Sequence, residues 1–259
     1  LNFSKIESVL IMIKPNFLVV VAYFVIITFL LYELKYKRIR FLVLLIIILF
    51  LHYNWNFICK SDYLIMLDVE QADSLIFHRK NKTILVDVGG SLDIKKSKKN
   101  LNNITTVLKS FGIRRIDYMI ITHGDFDHMG EAINLVNNFK VEKVIFNCGP
   151  YNDLEKELIK VLDKKRIKYY SCIKELNINK NKLYFLQTKE YNNENDNSNA
   201  IYTELNGFKF MFMGDASITT EKEIINKYNL QDIDVLKVGH HGSKTSSSEE
   251  FINEINPQY

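Results

Sequence analysis

The sequence has 259 residues, 47% hydrophobic and 25% charged, with 34 Lys and Arg against 30 Asp and Glu. These averages exclude a disordered, collagenous or disulfide-scaffold chain and fit one or two ordinary domains. The charge is unevenly placed: residues 1–59 hold six basic side chains (Lys5, Lys14, Lys35, Lys37, Arg38, Arg40) and two acidic ones (Glu7, Glu33), so the formal +4 resides there and residues 60–259 are neutral.

Residues 15–32 and 41–59 carry no charge. As helices rising about 1.5 Å per residue, each spans roughly 27–29 Å, the thickness of a bilayer core. The two runs, with no polar face between them, predict a transmembrane helix pair in a segment 1–59; a buried core helix is the plainer alternative. The loop between them holds Lys35, Lys37, Arg38 and Arg40, which predicts a cytoplasmic loop, with the hairpin ends and everything after Cys59 outside the membrane. Tyr53 and Trp55 fall where amphipathic rings favour the interface. A start at Leu1 and two long apolar runs fit a signal peptide poorly and suggest a window from a longer multi-pass protein. Cys59, Cys148 and Cys172 make no C-x-x-C pair, which argues against a disulfide framework and a thiolate zinc site and leaves packing as their expected role.

From residue 60 the pattern changes to short apolar runs between turn residues. Residues 63–68, 74–78 and 83–88 predict three strands, followed by a helix near 101–111 and a buried strand at 118–122. A helix at 130–139, a strand at 143–146 and a helix at 153–165 come next. Strands are predicted at 182–187, 200–205, 208–213 and 234–238, with helices at 219–228 and from about 247. Strand runs followed by mixed elements predict an α+β domain over 60–259, with sheets packed together and covered by helices.

Four of the six histidines fall in two short motifs. THGDFDHMG sets His123, Asp125, Asp127 and His128 directly after a buried strand, where neighbouring side chains can turn to one point and hold cations. KVGHHGS sets His240 and His241 after another strand. Between them, in FMFMGDAS, Asp215 follows Gly214, whose missing side chain lets the backbone turn tightly. Each motif alone has a plain reading, a solvated loop or a helix cap; three strand ends delivering ligands together do not.

The ordered set LVDVGG, THGDFDHMG, GDAS and GHHGS resembles the metallo-β-lactamase fold, an αββα sandwich with an H-x-H-x-D-H loop. With LDVEQAD (67–73), NDNS (195–198) and LKVGHHGSKTSSSEEF added, it resembles the C-terminal domain of the ComEC family of DNA-internalisation competence proteins, which follows membrane helices. Asp125 stands where most superfamily members have a second His, and Glu70 and Ala72 replace two family glycines. The resemblance implies two divalent metal ions, Zn²⁺ or Mn²⁺. One would be held by His123, Asp125 and a histidine of the GHHGS loop (His240 first, His241 second) and the other by Asp127 and His128, with Asp215 bridging. Asp127 and Asp215 are the implied catalytic carboxylates. Asp68, Asp73, Asp87, Asn197, Ser198 and Ser243 are implied to support the ligands or line the substrate site. No histidine occurs from residue 129 to 239, where most members supply another ligand.

Asp125 enriches the first site in oxygen and moves its preference toward Mn²⁺. Two divalent ions against three ligand carboxylates leave a positive pocket suited to an anionic phosphodiester. The resemblance therefore implies a nuclease module of a membrane DNA-uptake channel, acting on DNA outside the membrane, with DNA, the membrane and other parts of the channel as partners. A hydrolase of another phosphodiester, such as a choline-phosphate ester, and a catalytically silent DNA-guiding domain are the alternatives. Two lysine-rich runs, Lys95–Lys96–Lys98–Lys99 and Lys164–Lys165–Arg166–Lys168, are candidate DNA contacts or solvated faces.

Overall fold

The computed structural model describes residues 12–59, 61–69, 72–179, 181–186 and 189–259. Glu70, one of the two altered family glycines, lies outside these residues, as does position 187 at the end of a predicted strand. Helices α1 (Phe17–Leu34) and α2 (Arg40–Tyr53) pack side by side, followed by the short α3 (Trp55–Ile58). Of these, α1 alone is long and apolar enough to cross a membrane. The second apolar run forms a helix of 14 residues, shorter than the uncharged stretch at 41–59. The reason is local: Asn54 leaves helical geometry (φ −99°, ψ 12°), and its Nδ2 donates to the Phe50 carbonyl at 2.8 Å. Polar groups at this end turn to the rest of the chain, with His52 Nε2 2.8 Å from the Ile13 carbonyl and Asn56 Nδ2 donating to the Phe111 carbonyl.

The next strands are β1 (Tyr63–Met66), β2 (Leu75–Arg79) and β3 (Lys82–Val86), antiparallel in sequence order. Strands β4 (Tyr118–Ile120), β5 (Lys143–Phe146) and β6 (Lys168–Ser171) extend that sheet in parallel from β3, giving the order β1-β2-β3-β4-β5-β6. A second sheet has the order β11-β10-β9-β8-β7. It is built from β7 (Glu175–Ile178), β8 (Asn181–Phe185), β9 (Ile201–Leu205), β10 (Phe208–Phe212) and β11 (Val235–Lys237), with β11 parallel to β10 and the others antiparallel.

Alternation along the strands sorts side chains between layers. Ile76, Leu85 and Met119 face α4 (Ile94–Ser110), α6 (Ala132–Asn138) and α7 (Asp153–Lys165), where Ile104, Leu108, Leu135 and Leu158 are buried. Phe77, Ile84, Val86 and Ile120 face Leu183, Ile201 and Phe212 of the second sheet. Beyond that sheet, Met211 packs with Ile224 of α8 (Ile218–Lys227) and Phe251 of α9 (Glu249–Ile255). These three apolar seams make the four layers of helix, sheet, sheet and helix that the resemblance implied.

The expectation that all cysteines merely pack is also corrected. Cys148 and Cys172 form a disulfide, with Cα atoms 4.3 Å apart. The parallel register pairing Phe146 with Ser171 brings the chain just beyond β5 beside the chain just beyond β6, so a sequence separation of 24 hid the pair. Cys59 is free and exposed.

Candidate metal centre

The first groups of the site come from the ends of the parallel strands, where the chain must leave the sheet and its side chains are released from alternation. Just beyond β3, Asp87 takes a left-handed conformation (φ 59°) and is 2% exposed. Its carboxylate accepts from Thr122 N at 2.8 Å and Thr122 Oγ1 at 2.7 Å, and lies 2.8 Å from His128 Nδ1. Because a carboxylate only accepts, His128 Nδ1 carries a proton toward Asp87, which orients the ring with Nε2 toward Asp215.

Just beyond β4, His123 is fully buried, with Nδ1 3.2 Å from Thr122 Oγ1 and 3.3 Å from Ser198 Oγ. Its Nε2 faces Asp125 Oδ2 at 3.5 Å and Asp215 Oδ2 at 4.0 Å. The short helix α5 (Phe126–Met129) then turns Asp127 and His128 inward. From the second sheet, Gly214 (φ +56°) sits under Ser198, where an added Cβ would lie 2.9 Å from Ser198 Cβ, and it delivers Asp215. Asp215 N donates to Ser198 Oγ at 3.0 Å.

Asp215 faces four imidazoles. Its Oδ1 is 3.0 Å from His128 Nε2, and its Oδ2 is 3.8 Å from His241 Nε2, 3.9 Å from His240 Nε2 and 4.0 Å from His123 Nε2. The two GHHGS histidines reach it because both take left-handed conformations (φ 45° and 51°), which splays neighbouring side chains. His241 Nε2 also lies 3.2 Å from Asp127 Oδ2, while His240 Nδ1 is 3.0 Å from Thr245 Oγ1. Sequence reasoning treated His240 and His241 as competitors; the structure sets both at the centre, on different partners.

Asp73 is the residue whose place differs most from expectation. Implied as a lining group, it joins His128, Asp215 and His241 in a cluster whose potential ligand atoms all lie within 4.8 Å of one another. Lys237 forms an ion pair with it. Lys237 was missed, although its position at the end of the last strand before GHHGS was the available signal. Asp68, by contrast, is exposed, and its recorded contact is through its carbonyl, which accepts from Asn103 Nδ2 at 3.2 Å. The Asn197 amide closes a loop on the Tyr191 N–H and carbonyl at 2.9 and 2.7 Å, while Ser198 meets His123 and Asp215 N. Ser243 acts through Thr245, whose Oγ1 is 3.1 Å from Ser243 Oγ and also meets His240. The run at 164–168 ends α7 and begins β6, at the sheet edge opposite the strand ends that carry the site, whereas Lys96 of α4 lines a cavity together with Asp127.

The electrostatics describe a pocket that holds positive charge. Burial pulls His128 down, but the Asp87 charge and the contacts with Asp215 and Asp87 push its pKa up to about 11. Asp215 is held well below the usual carboxylate range, against its burial, by His128, His123 and His241. The contact between Asp127 and His241 lowers the first and raises the second. His123 Nε2, His128 Nε2 and Asp215 Oδ1 are buried with no partner beyond the contacts they make within this cluster, although buried polar atoms are nearly always hydrogen-bonded. Imidazole nitrogens and carboxylate oxygens that converge in this way fit a divalent cation.

Residues 67–167 match the model of the metallo-beta-lactamase superfamily. Over 230 residues the chain is 29% identical to ComE operon protein 3 of Bacillus subtilis, covering 82% of this chain and 29% of that protein. It is 28% identical over 198 residues to competence protein ComA of Neisseria gonorrhoeae, covering 74% of this chain and 25% of that one. The chain thus spans less than a third of the length of these relatives. Among solved structures, the metallo-beta-lactamase fold protein YhfI from Bacillus subtilis aligns with a TM-score of 0.43 at 14% identity, covering 68% of this chain and 70% of that one.

Proposed function

Because the chain carries a metallo-β-lactamase domain and is related over most of its length to the competence proteins of the ComEC family, we propose that it is a metal-dependent phosphodiesterase module of a membrane DNA-uptake channel, acting on DNA outside the membrane. The observation that carries this reading is Asp215, a buried carboxylate facing four imidazoles from two other chain segments. One carboxylate so placed can serve two cations. His123, Asp125 and His240 form one group around Asp215, and Asp127, His128 and His241, with Asp73 close by, form the other.

Divalent cations, Zn²⁺ or Mn²⁺, would be held by these residues and would supply positive charge for a phosphoryl oxygen and for activation of water. The protein fixes the surroundings. Asp87 holds the His128 ring with Nε2 aimed at the centre, and Ser198 Oγ meets both His123 Nδ1 and the Asp215 N–H. Thr245 holds the His240 ring by its Nδ1. Lys237 secures the Asp73 carboxylate near His241. This preorganisation avoids reorientation of the ligands as charge develops on the phosphoryl group. In the same reading the apolar segment around α1 and α2 lies in the membrane, with its basic loop on the cytoplasmic side.

Asp127→Ala tests the proposal. With Mn²⁺ or Zn²⁺, cleavage of single-stranded DNA should fall by roughly a thousandfold or more while the circular dichroism spectrum is unchanged, because Asp127 is a half-exposed ligand candidate and not a core group. Cleavage by the variant at the original rate would overturn the reading.

A further inference from the structure

We propose that the cavity beside the metal loop is a nucleobase subsite, in which the Phe126 ring stacks on one base of a single-stranded DNA whose phosphate lies at the acid–histidine cluster. The inference rests on the phosphodiesterase reading and deepens it by naming how the substrate is held.

Phe126 stands between Asp125 and Asp127, and successive residues of the α5 turn point about 100° apart, so its ring diverges from its acidic neighbours. The ring is 37% exposed, unusual for an aromatic residue in a motif whose two histidines are fully buried. Two glycines make room for it. A Cβ added at Gly90 or at Gly130 would lie 2.7 Å from Phe126 Cε1. The ring therefore rests close against backbone and has little freedom to swing away, which is the property a stacking platform needs.

The same ring lines a cavity of 370 Å³, a volume suited to one small organic group. Asp127 lies in the wall of this cavity and also touches His241, so a group seated there is next to the metal cluster. The rest of the wall is mixed. Leu92, 90% exposed, offers apolar surface and Lys96 a positive charge. Asn100, also in the wall, is 1% exposed; its Nδ2 donates to the Val69 carbonyl at 3.0 Å while its Oδ1 has no partner. A partly exposed aromatic ring and a cation beside a site for phosphate correspond to a nucleotide: a π-face to stack and a negative backbone. Stacking of this kind tolerates any base sequence and contributes about tenfold or more per base.

The test compares a labelled single-stranded oligodeoxynucleotide with an abasic oligomer of equal length, using the full chain in detergent. Affinity is read by fluorescence anisotropy, and KM and kcat are read with Mn²⁺. The unaltered protein should prefer the base-bearing strand by about tenfold. Phe126→Ala should reduce that preference to less than about twofold, chiefly through KM, and Phe126→Tyr, which keeps the ring, should retain it. Binding of neither strand, equal binding of both, or a preference that survives Phe126→Ala overturns the subsite. Cleavage of bis(p-nitrophenyl) phosphate by the same preparation separates the two proposals. Its absence beside an intact base preference overturns the phosphodiesterase reading alone, and its presence without base preference overturns the subsite alone.

Discussion

His123, His128 and Asp215 form a floor that is at most 2% exposed, whereas the side chains of Asp125, Asp127, His240 and His241 form a rim between 32% and 46% exposed. The floor groups point inward and are held by other buried groups, Asp87, Thr122 and Ser198. The rim groups sit on short turns and touch mainly each other, Asp215 and Thr245. Floor geometry is therefore part of the fold, and disturbing it should cost stability as well as metal. Rim geometry is a property of loops, and disturbing it should cost metal with the fold intact.

The largest effect should come from beneath the floor. Asp87→Ala removes the acceptor for Thr122 N, Thr122 Oγ1 and His128 Nδ1 and leaves buried donors unpaired, a loss of about 3–5 kcal/mol in urea unfolding together with weaker metal binding. A loss below about 1 kcal/mol would mean that the floor is not part of the folding unit and would dissolve the distinction from the rim.

Next is the disulfide, which steadies the chain between β5 and the loop that carries Asn152. That asparagine donates to the Gly124 carbonyl at 2.8 Å, and Gly149 lies against Asn197. Replacing both Cys148 and Cys172 by Ser should lower stability by about 2–4 kcal/mol, as expected for a closed loop of this length. Reducing agent should lower the melting temperature of the original chain and leave that of the double variant unchanged.

The same contrast of floor and rim explains what the sequence made legible. The ligand motifs could be read because each follows a strongly apolar strand, and the buried strands β3, β4, β5 and β10 and the helix α7 lie where periodicity set them. Two strands went unpredicted, β6 and β7, and both are outer strands of their sheets with mostly exposed side chains, so no apolar alternation marks them. Helix α4 begins at Ile94, well before the apolar spacing near 101, because its lysine-rich first turns are set by the Asp93 cap, which accepts from Lys95 N and Lys96 N. Asp73 and Lys237 meet only through tertiary structure, across segments 164 residues apart, and no local spacing encodes that distance.

The rim should respond more mildly. His240→Ala and His241→Ala should each weaken metal binding by about tenfold or more, read by competition with a chelating dye, while the melting temperature in chelator moves little. Because His241 touches Asp127 and His240 touches Thr245, the two losses should fall on different metal equivalents, giving two distinct isotherms. Identical isotherms for the two variants would mean that both histidines serve one cation.

The effect confined to one pH range belongs to Glu155, which lies under the rim without touching the ligands. Its backbone N–H donates to Asn152 Oδ1 at 2.9 Å and its Oε2 accepts from Asn152 N at 2.8 Å, closing the cap that holds Asn152 on Gly124. Its Oε1 is buried without a partner. Burial pushes the carboxyl up to about 7; the Asn152 N–H opposes this, and the Glu194 and Asp125 charges add to it. The folded pKa lies above the ordinary value of 4.5, so between these two values the folded state keeps a proton that the unfolded chain has released. Stability must then fall as pH rises through that window, since the unfolded state binds fewer protons. Glu155→Gln keeps an oxygen to accept the Asn152 N–H and has no charge to bury. The variant and the original should unfold alike at about pH 4, and the variant should be more stable by about 2 kcal/mol at pH 8. Parallel pH profiles would show that Glu155 titrates alike in the folded and unfolded chain, and the cap beneath the rim would then hold an ionised group at neutral pH.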